Sequence, residues 1–170
     1  GNVFINDINI SEYSKKELRN KISTIMQKAT LFKGTVRENL LLGGKTATDE
    51  ELISALKQAQ LYNNIKSKGG LDFIVEQNGK NLSGGQKQRL SIARSLVDKP
   101  QVLILDDSYS ALDFATEAKL RKEISNLKHN PIVFVVSQRV PSIMNADKII
   151  VLDDGKIAGI GCHMELYNNC

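Results

Sequence analysis

Asn81-Leu82-Ser83-Gly84-Gly85-Gln86-Lys87-Gln88-Arg89 is the stretch on which the reading of this chain turns. Ser83 and Gln86 have the spacing of a capping box. In that arrangement the Ser83 hydroxyl accepts from the backbone N–H of Gln86, and the Gln86 side chain accepts from the N–H of Ser83. Gly84 and Gly85 leave the first turn without side chains, so a phosphate can approach the N–H groups at the positive end of the helix dipole. Leu90, Ala93, Leu96 and Val97 then fall at helical spacing, so a helix follows the cap. The same residues also suit an ordinary helix start with a flexible glycine pair.

Working outward, 170 residues suit one domain, or most of one, with a sizeable core. No apolar run reaches the roughly 18 residues needed to span a bilayer, and no signal peptide opens the sequence, so the piece reads as soluble. The net charge is +4. Its basic residues are scattered, and the clusters Lys15-Lys16 and Lys87 to Arg89 are short and lack interleaved aromatics. No nucleic-acid partner is expected. Cys162 and Cys170 match no metal-ligand or redox spacing, which favours free thiols in a reducing cytosol.

Residues 3–5 and 8–10 read as short strands around Asn6-Asp7. Ser14 and Glu17 form a second capping box, opening a helical turn up to Asn20. Residues 22–26 read as a strand that delivers Gln27 at its end, and residues 35–42 as a helix. Leu42-Gly43-Gly44-Lys45-Thr46 ends like a phosphate-binding loop, but Asn39 stands where that loop needs a glycine, so no phosphate cradle is expected there. Thr48 and Glu51 cap a helix that presents Leu52, Ala55, Leu56 and Ala59 on one face and runs through about Lys66. Residues 67–80 read as a glycine-broken loop. Residues 101–106 form a continuous apolar run ending in acid, a buried strand that carries Asp106 and Asp107 to its carboxyl end. A helix is expected over about 114–127, with Leu120, Ile124 and Leu127 inward. Residues 132–136 read as another buried strand. Residues 148–152 and 156–160 form a hairpin around Asp153-Asp154-Gly155. His129 and His163 read as solvated or packing residues.

The stretch 81–89 resembles the signature motif of ABC-type ATPases, and most of the chain follows the same family. Ile25-Met26-Gln27, followed by Leu31-Phe32-Lys33-Gly34-Thr35-Val36-Arg37-Glu38-Asn39, looks like the Q-loop and its continuation in the exporter branch. The resemblance implies that the Gln27 amide oxygen helps coordinate Mg²⁺ beside the γ-phosphate and that the loop faces membrane domains. Val102-Leu103-Ile104-Leu105-Asp106-Asp107 looks like a Walker B strand, with Asp106 toward Mg²⁺, usually through water. Ser108-Tyr109-Ser110-Ala111-Leu112-Asp113 resembles the D-loop, which places Asp113 at a dimer interface. Gly161-Cys162-His163-Met164-Glu165-Leu166 is similar to the family's ending, so His163 is not the switch histidine. Val75-Glu76-Gln77-Asn78-Gly79 matches the exporters' contact loop poorly.

The family works as head-to-tail dimers. The resemblance therefore implies that Asn81, Ser83, Gly84, Gly85 and Gln86 contact the ATP of a partner's site. It departs from this sequence in three ways. The family's P-loop lies N-terminal to the opening strands, so these residues resemble a fragment expected to bind ATP weakly or not at all. Asp107 stands where the catalytic glutamate is usual, and Gln138 where the switch histidine is usual. Both changes imply a degenerate site in one half of a heterodimeric exporter. Its partners would be a second ABC ATPase domain, on a different chain, and the transporter's transmembrane domains at the cytoplasmic face of the cell membrane. A soluble, non-transport ABC ATPase and a non-hydrolysing regulatory module are the other readings.

The implied fold is α/β, a P-loop NTPase-like, mainly parallel sheet with flanking helices. Residues 1–34 and 101–170 would form its core part, and about 35–100 a helical subdomain bearing the signature. The sheet would lack its N-terminal strands.

Overall fold

In the computed structural model, which describes residues 1–42 and 46–169, the chain divides between Val136 and Ser137 into two compact units. The first begins with a hairpin, β1 (Phe4–Ile5) and β2 (Ile8–Asn9), turned by Asn6 and Asp7 at φ 51° and 64°. Two successive left-handed residues make the tight turn that matches strand twist, and Asn and Asp tolerate that conformation better than bulkier residues. Helix α1 (Lys15–Lys21) carries both halves of the Ser14–Glu17 capping box and runs directly into β3 (Ile22–Ile25).

A short strand, β4 (Gly34–Thr35), leads into α2 (Val36–Leu41). Thr35 and Glu38 cap that helix reciprocally, a box that the sequence reading passed over. Helix α3 (Asp49–Gln58) starts from the Thr48–Glu51 box and buries Leu52, Ala55 and Leu56. It does not continue to Lys66, as the periodicity suggests. Gln60 is left-handed at φ 57°, the Leu61 N–H donates back to the Leu56 carbonyl, and the Gln60 N–H to Lys57. This pair of bonds closes a helix end in the manner usually marked by glycine. A separate helix, α4 (Tyr62–Lys66), follows. The stretch 67–80 is also more ordered than a loop, because β5 (Ile74–Val75) pairs antiparallel with β4.

Helix α5 (Gly84–Val97) then leads to β6 (Val102–Asp106), α6 (Phe114–Ser125) and β7 (Ile132–Val136). β3, β6 and β7 form a parallel sheet in that order, with Ile25 beside Leu105 and Asp106 beside Val136. β6 is central, with Leu103 and Leu105 fully buried. One apolar cluster joins Ile25, Leu31, Leu40, Leu56, Leu90, Leu105 and Leu120, so sheet and helices of this unit share a core. β7 differs from its expected full burial. Strand alternation puts Ile132, Phe134 and Val136 on one face, where they are 62%, 57% and 55% exposed. Only the face carrying Val133 and Val135 packs on the core.

The second unit contains α7 (Val140–Ile143), the hairpin β8 (Ile149–Asp153) and β9 (Lys156–Gly161), and α8 (His163–Asn169). Asp154 and Gly155 turn the hairpin at φ 45° and 72°. Glu165 accepts from the Cys162 N–H at 2.7 Å, which caps the start of α8. Cys162 is a free thiol; Cys170, and Gly43 to Lys45 of the P-loop-like pentapeptide, lie outside the described residues. Among the described residues, no helix is long and apolar enough to cross a membrane.

Candidate functional site

The parallel pairing of β3 with β6 aligns their carboxyl ends, so the residues just beyond them are neighbours despite their distance in sequence. Gln27 follows β3, and its Nε2 donates to Asp107 Oδ2 at 2.8 Å. Asp107 is left-handed, with φ 45°, and its N–H donates to the Val136 carbonyl at the end of β7 at 2.9 Å. Aspartate tolerates that backbone better than most side chains. Ser110 returns its hydroxyl to the Asp107 carbonyl at 2.8 Å. Ser108 ties the two strand ends together: it is 1% exposed, and its Oγ donates to the Ile25 carbonyl at 2.8 Å. The sequence reading placed Ser108 only at the start of the D-loop-like stretch, because a serine after a strand carries no signal of a tie to another strand.

Open parallel sheets bind ligands beyond the carboxyl ends of their strands, and the three polar residues here lie on that edge. Asp106 ends β6, with Asp107 and Gln27 beside it. Among the described residues no three His, Cys, Asp or Glu side chains gather to hold a metal. Two carboxylates and a carboxamide oxygen nevertheless suit Mg²⁺, a hard ion that takes one or two protein carboxylates and completes its shell with water and phosphate. The donor set fits that ion.

The signature turn is built locally. Gln86 N–H donates to Ser83 Oγ at 3.3 Å, and Ser83 N–H to Gln86 Oε1 at 3.1 Å. The two glycines face different surroundings. A Cβ on Gly84 would meet nothing within 4 Å, whereas one on Gly85 would sit 3.2 Å from the Ala111 carbonyl oxygen and 3.5 Å from Leu112 Cδ2. Gly84 thus leaves the approach to the helix end open, and Gly85 allows the segment 108–113 to pack against it. Asn81 uses its carboxamide on nearby backbone, accepting from Glu76 N–H at 3.0 Å and donating to the Ile74 carbonyl at 2.8 Å.

Asp113 caps α6, accepting from Thr116 N–H at 2.9 Å and Thr116 Oγ1 at 2.7 Å. The Thr116 backbone bond holds its carboxyl below the ordinary range. Arg89 donates to the Gly85 and Gln60 carbonyls, joining the signature turn to the end of α3. Burial lowers the Arg89 guanidinium from its ordinary value, and the charge of Asp113 opposes that shift.

Two further side chains of α5 reach the segment after β3. Gln88 Nε2 donates to the Met26 carbonyl, and Arg94 Nη2 to the Thr30 carbonyl, both at 3.0 Å. The sequence reading passed over Gln88, whose one signal was a polar residue in register with Ile92 and Leu96, at a core position. Gln138 belongs to the second unit and is exposed; beside it the Arg139 N–H donates to Ser137 Oγ at 3.0 Å.

A family model described as ABC transporter matches residues 1–110. The chain is 41% identical over 169 residues to the ABC transporter ATP-binding protein YfiB of Bacillus subtilis, covering 99% of this chain and 29% of that protein. A Staphylococcus aureus protein carrying the name of a multidrug export ATP-binding/permease protein is 42% identical over 167 residues, covering 98% of this chain and 29% of its own length. A solved bacterial Atm1-family ABC exporter with ATP bound superposes with a TM-score of 0.93 at 31% identity, covering 99% of this chain and 30% of the exporter chain. The chain thus spans less than a third of the length of each of these proteins.

Proposed function

Because the chain belongs to the ABC transporter family, we propose that it forms part of the ATP-binding domain of an exporter, where ATP binding and hydrolysis drive transport. The observation that carries this reading is the meeting of Gln27 and Asp107 at 2.8 Å across the carboxyl edge of the parallel sheet. In the wider arrangement, residues 35–100 act as the helical subdomain and the remainder as the α/β core.

At its own site, Asp106 and the Gln27 carboxamide oxygen would hold Mg²⁺. When bound, that ion neutralises phosphate charge as the γ-phosphoryl leaves. Asp107 occupies the position of the general base, but its side chain is one methylene, about 1.5 Å, shorter than glutamate, and base catalysis is sensitive to such a displacement. One of its oxygens is already engaged by Gln27. Gln138 can donate to a γ-phosphate oxygen but cannot titrate near neutral pH. These features support slow turnover at this half.

Ser83, Gly84, Gly85 and Gln86 would complete the ATP site of a second ABC ATPase domain, on a different chain, with Asp113 at the interface between them. The open space at Gly84 supports that role. The transmembrane domains of the transporter are the other partner, which sets this domain at the cytoplasmic face of the membrane. The engaged state of Asp107 also favours a second reading, a regulatory ABC module that binds ATP without hydrolysing it.

The deciding experiment uses the full-length transporter with the partner's site disabled and carries Asp107→Glu together with Gln138→His. Restoring a base and a titratable donor should raise ATP turnover about tenfold or more. An unchanged rate would defeat the degenerate-site reading.

A further inference from the structure

We infer that Gln88 is a positioning residue for the site of this chain: through the Met26 carbonyl it fixes where Gln27 stands, so that the signature helix and the Gln27 loop move as one piece. The inference rests on the role proposed above for Gln27. Gln88 is 2% exposed and shares a helix face with Ile92 and Leu96, which are 0% and 4% exposed. An apolar side chain would be the ordinary occupant there, because a buried carboxamide is costly unless it is hydrogen-bonded. Its Nε2 finds that partner 62 positions away, at the Met26 carbonyl.

The peptide unit explains why this contact bears on Gln27. The Met26 carbonyl and the Gln27 nitrogen belong to one planar amide, so fixing the oxygen fixes the backbone from which the Gln27 side chain springs. Residues 26–30 contain no helix or strand, so no ladder of backbone bonds holds them. They are suspended instead by side chains. On one side α5 grips both ends of the segment, Gln88 at Met26 and Arg94 at Thr30. On the other, Ser108 holds Ile25 and Asp107 meets Gln27. A displacement of α5, whose N-terminus is the signature turn, is therefore transmitted to Gln27 through Gln88.

The test uses the full-length transporter and Gln88→Met, which keeps the length of the side chain but cannot donate. Limited trypsin digestion should cut after Lys28, an exposed residue of that loop, about tenfold faster, with cleavage at Lys87 and Arg89 of α5 unchanged. Gln88→Asn, which keeps the donor on a shorter arm, should give a smaller local rise. Unchanged cleavage after Lys28, or a rise spread through α5, would overturn the inference and make Gln88 a core filler.

A second arm measures ATP turnover with the partner's site disabled. Gln27→Ala should lower it, and Gln88→Met added to Gln27→Ala should lower it no further, as expected when one residue acts through the other. Full additivity would overturn the inference. Normal turnover with Gln27→Ala would instead overturn the proposed role of Gln27, while the proteolysis arm still decides whether Gln88 holds the loop.

Discussion

At the signature turn, Ser83 and Gln86 bond to each other across three positions of chain, whereas at the carboxyl edge Gln27 reaches Asp107 across 80 and Ser108 reaches Ile25 across 83. The first region is specified by a short string and needs little beyond the helix behind it. The second exists only if β3 and β6 pair in register over a packed core. One chain therefore holds two candidate surfaces with opposite dependence on global folding. Damage to the core should remove the Gln27–Asp107 meeting before it disturbs the Ser83 cap.

Leu105→Ala is the strongest way to break that contrast. The side chain is fully buried on the central strand, so its loss should cost about 2–5 kcal/mol in denaturant titration. A loss under about 1 kcal/mol would mean that the carboxyl edge does not depend on the core beneath it. Ser108→Ala sharpens the contrast by removing one long-range tie and leaving the Ile25 carbonyl without that donor. The expected destabilisation is about 1–3 kcal/mol, with faster amide exchange in β3. The smallest effect belongs to Ser83→Ala. Loss of the cap should cost about 1 kcal/mol, with faster exchange confined to the first turn of α5. Exchange spreading to β3 would show that the turn is not self-contained.

The same contrast explains which features could be read from sequence. Short-range devices were plain: the boxes at Ser14, Thr48 and Ser83, and the turns at Asn6-Asp7 and Asp154-Gly155, are closed by residues a few positions apart. The apolar run ending at Asp106 was also plain as a strand, although only its Leu103 and Leu105 face is buried and Val102 and Ile104 are half-buried. The end of α3 was not. Its left-handed residue is Gln60 rather than glycine, and the chain is held there by burial of Leu61 and by Arg89 from a distant helix. β4 and β5 are two residues each, too short to show alternation. Ser108 and Gln88 were invisible as ties because their partners, Ile25 and Met26, offer only backbone carbonyls, which any residue possesses.

The parallel pairing of β3 with β6 also has a consequence in time. A ribosome adding roughly 5–20 residues per second releases β6 about 4–16 s after β3, given 80 positions between partners. Over that interval β3 waits for β6, the strand it pairs with from Ile22 to Ile25. Helices α2 to α5, which emerge between the two strands, can associate first and shorten the loop that must later be closed. The capping boxes at Thr35, Thr48 and Ser83 start three of those four helices without help from the sheet. They therefore bear on the order of assembly, because the helical stretch can be in place when β6 arrives to join β3.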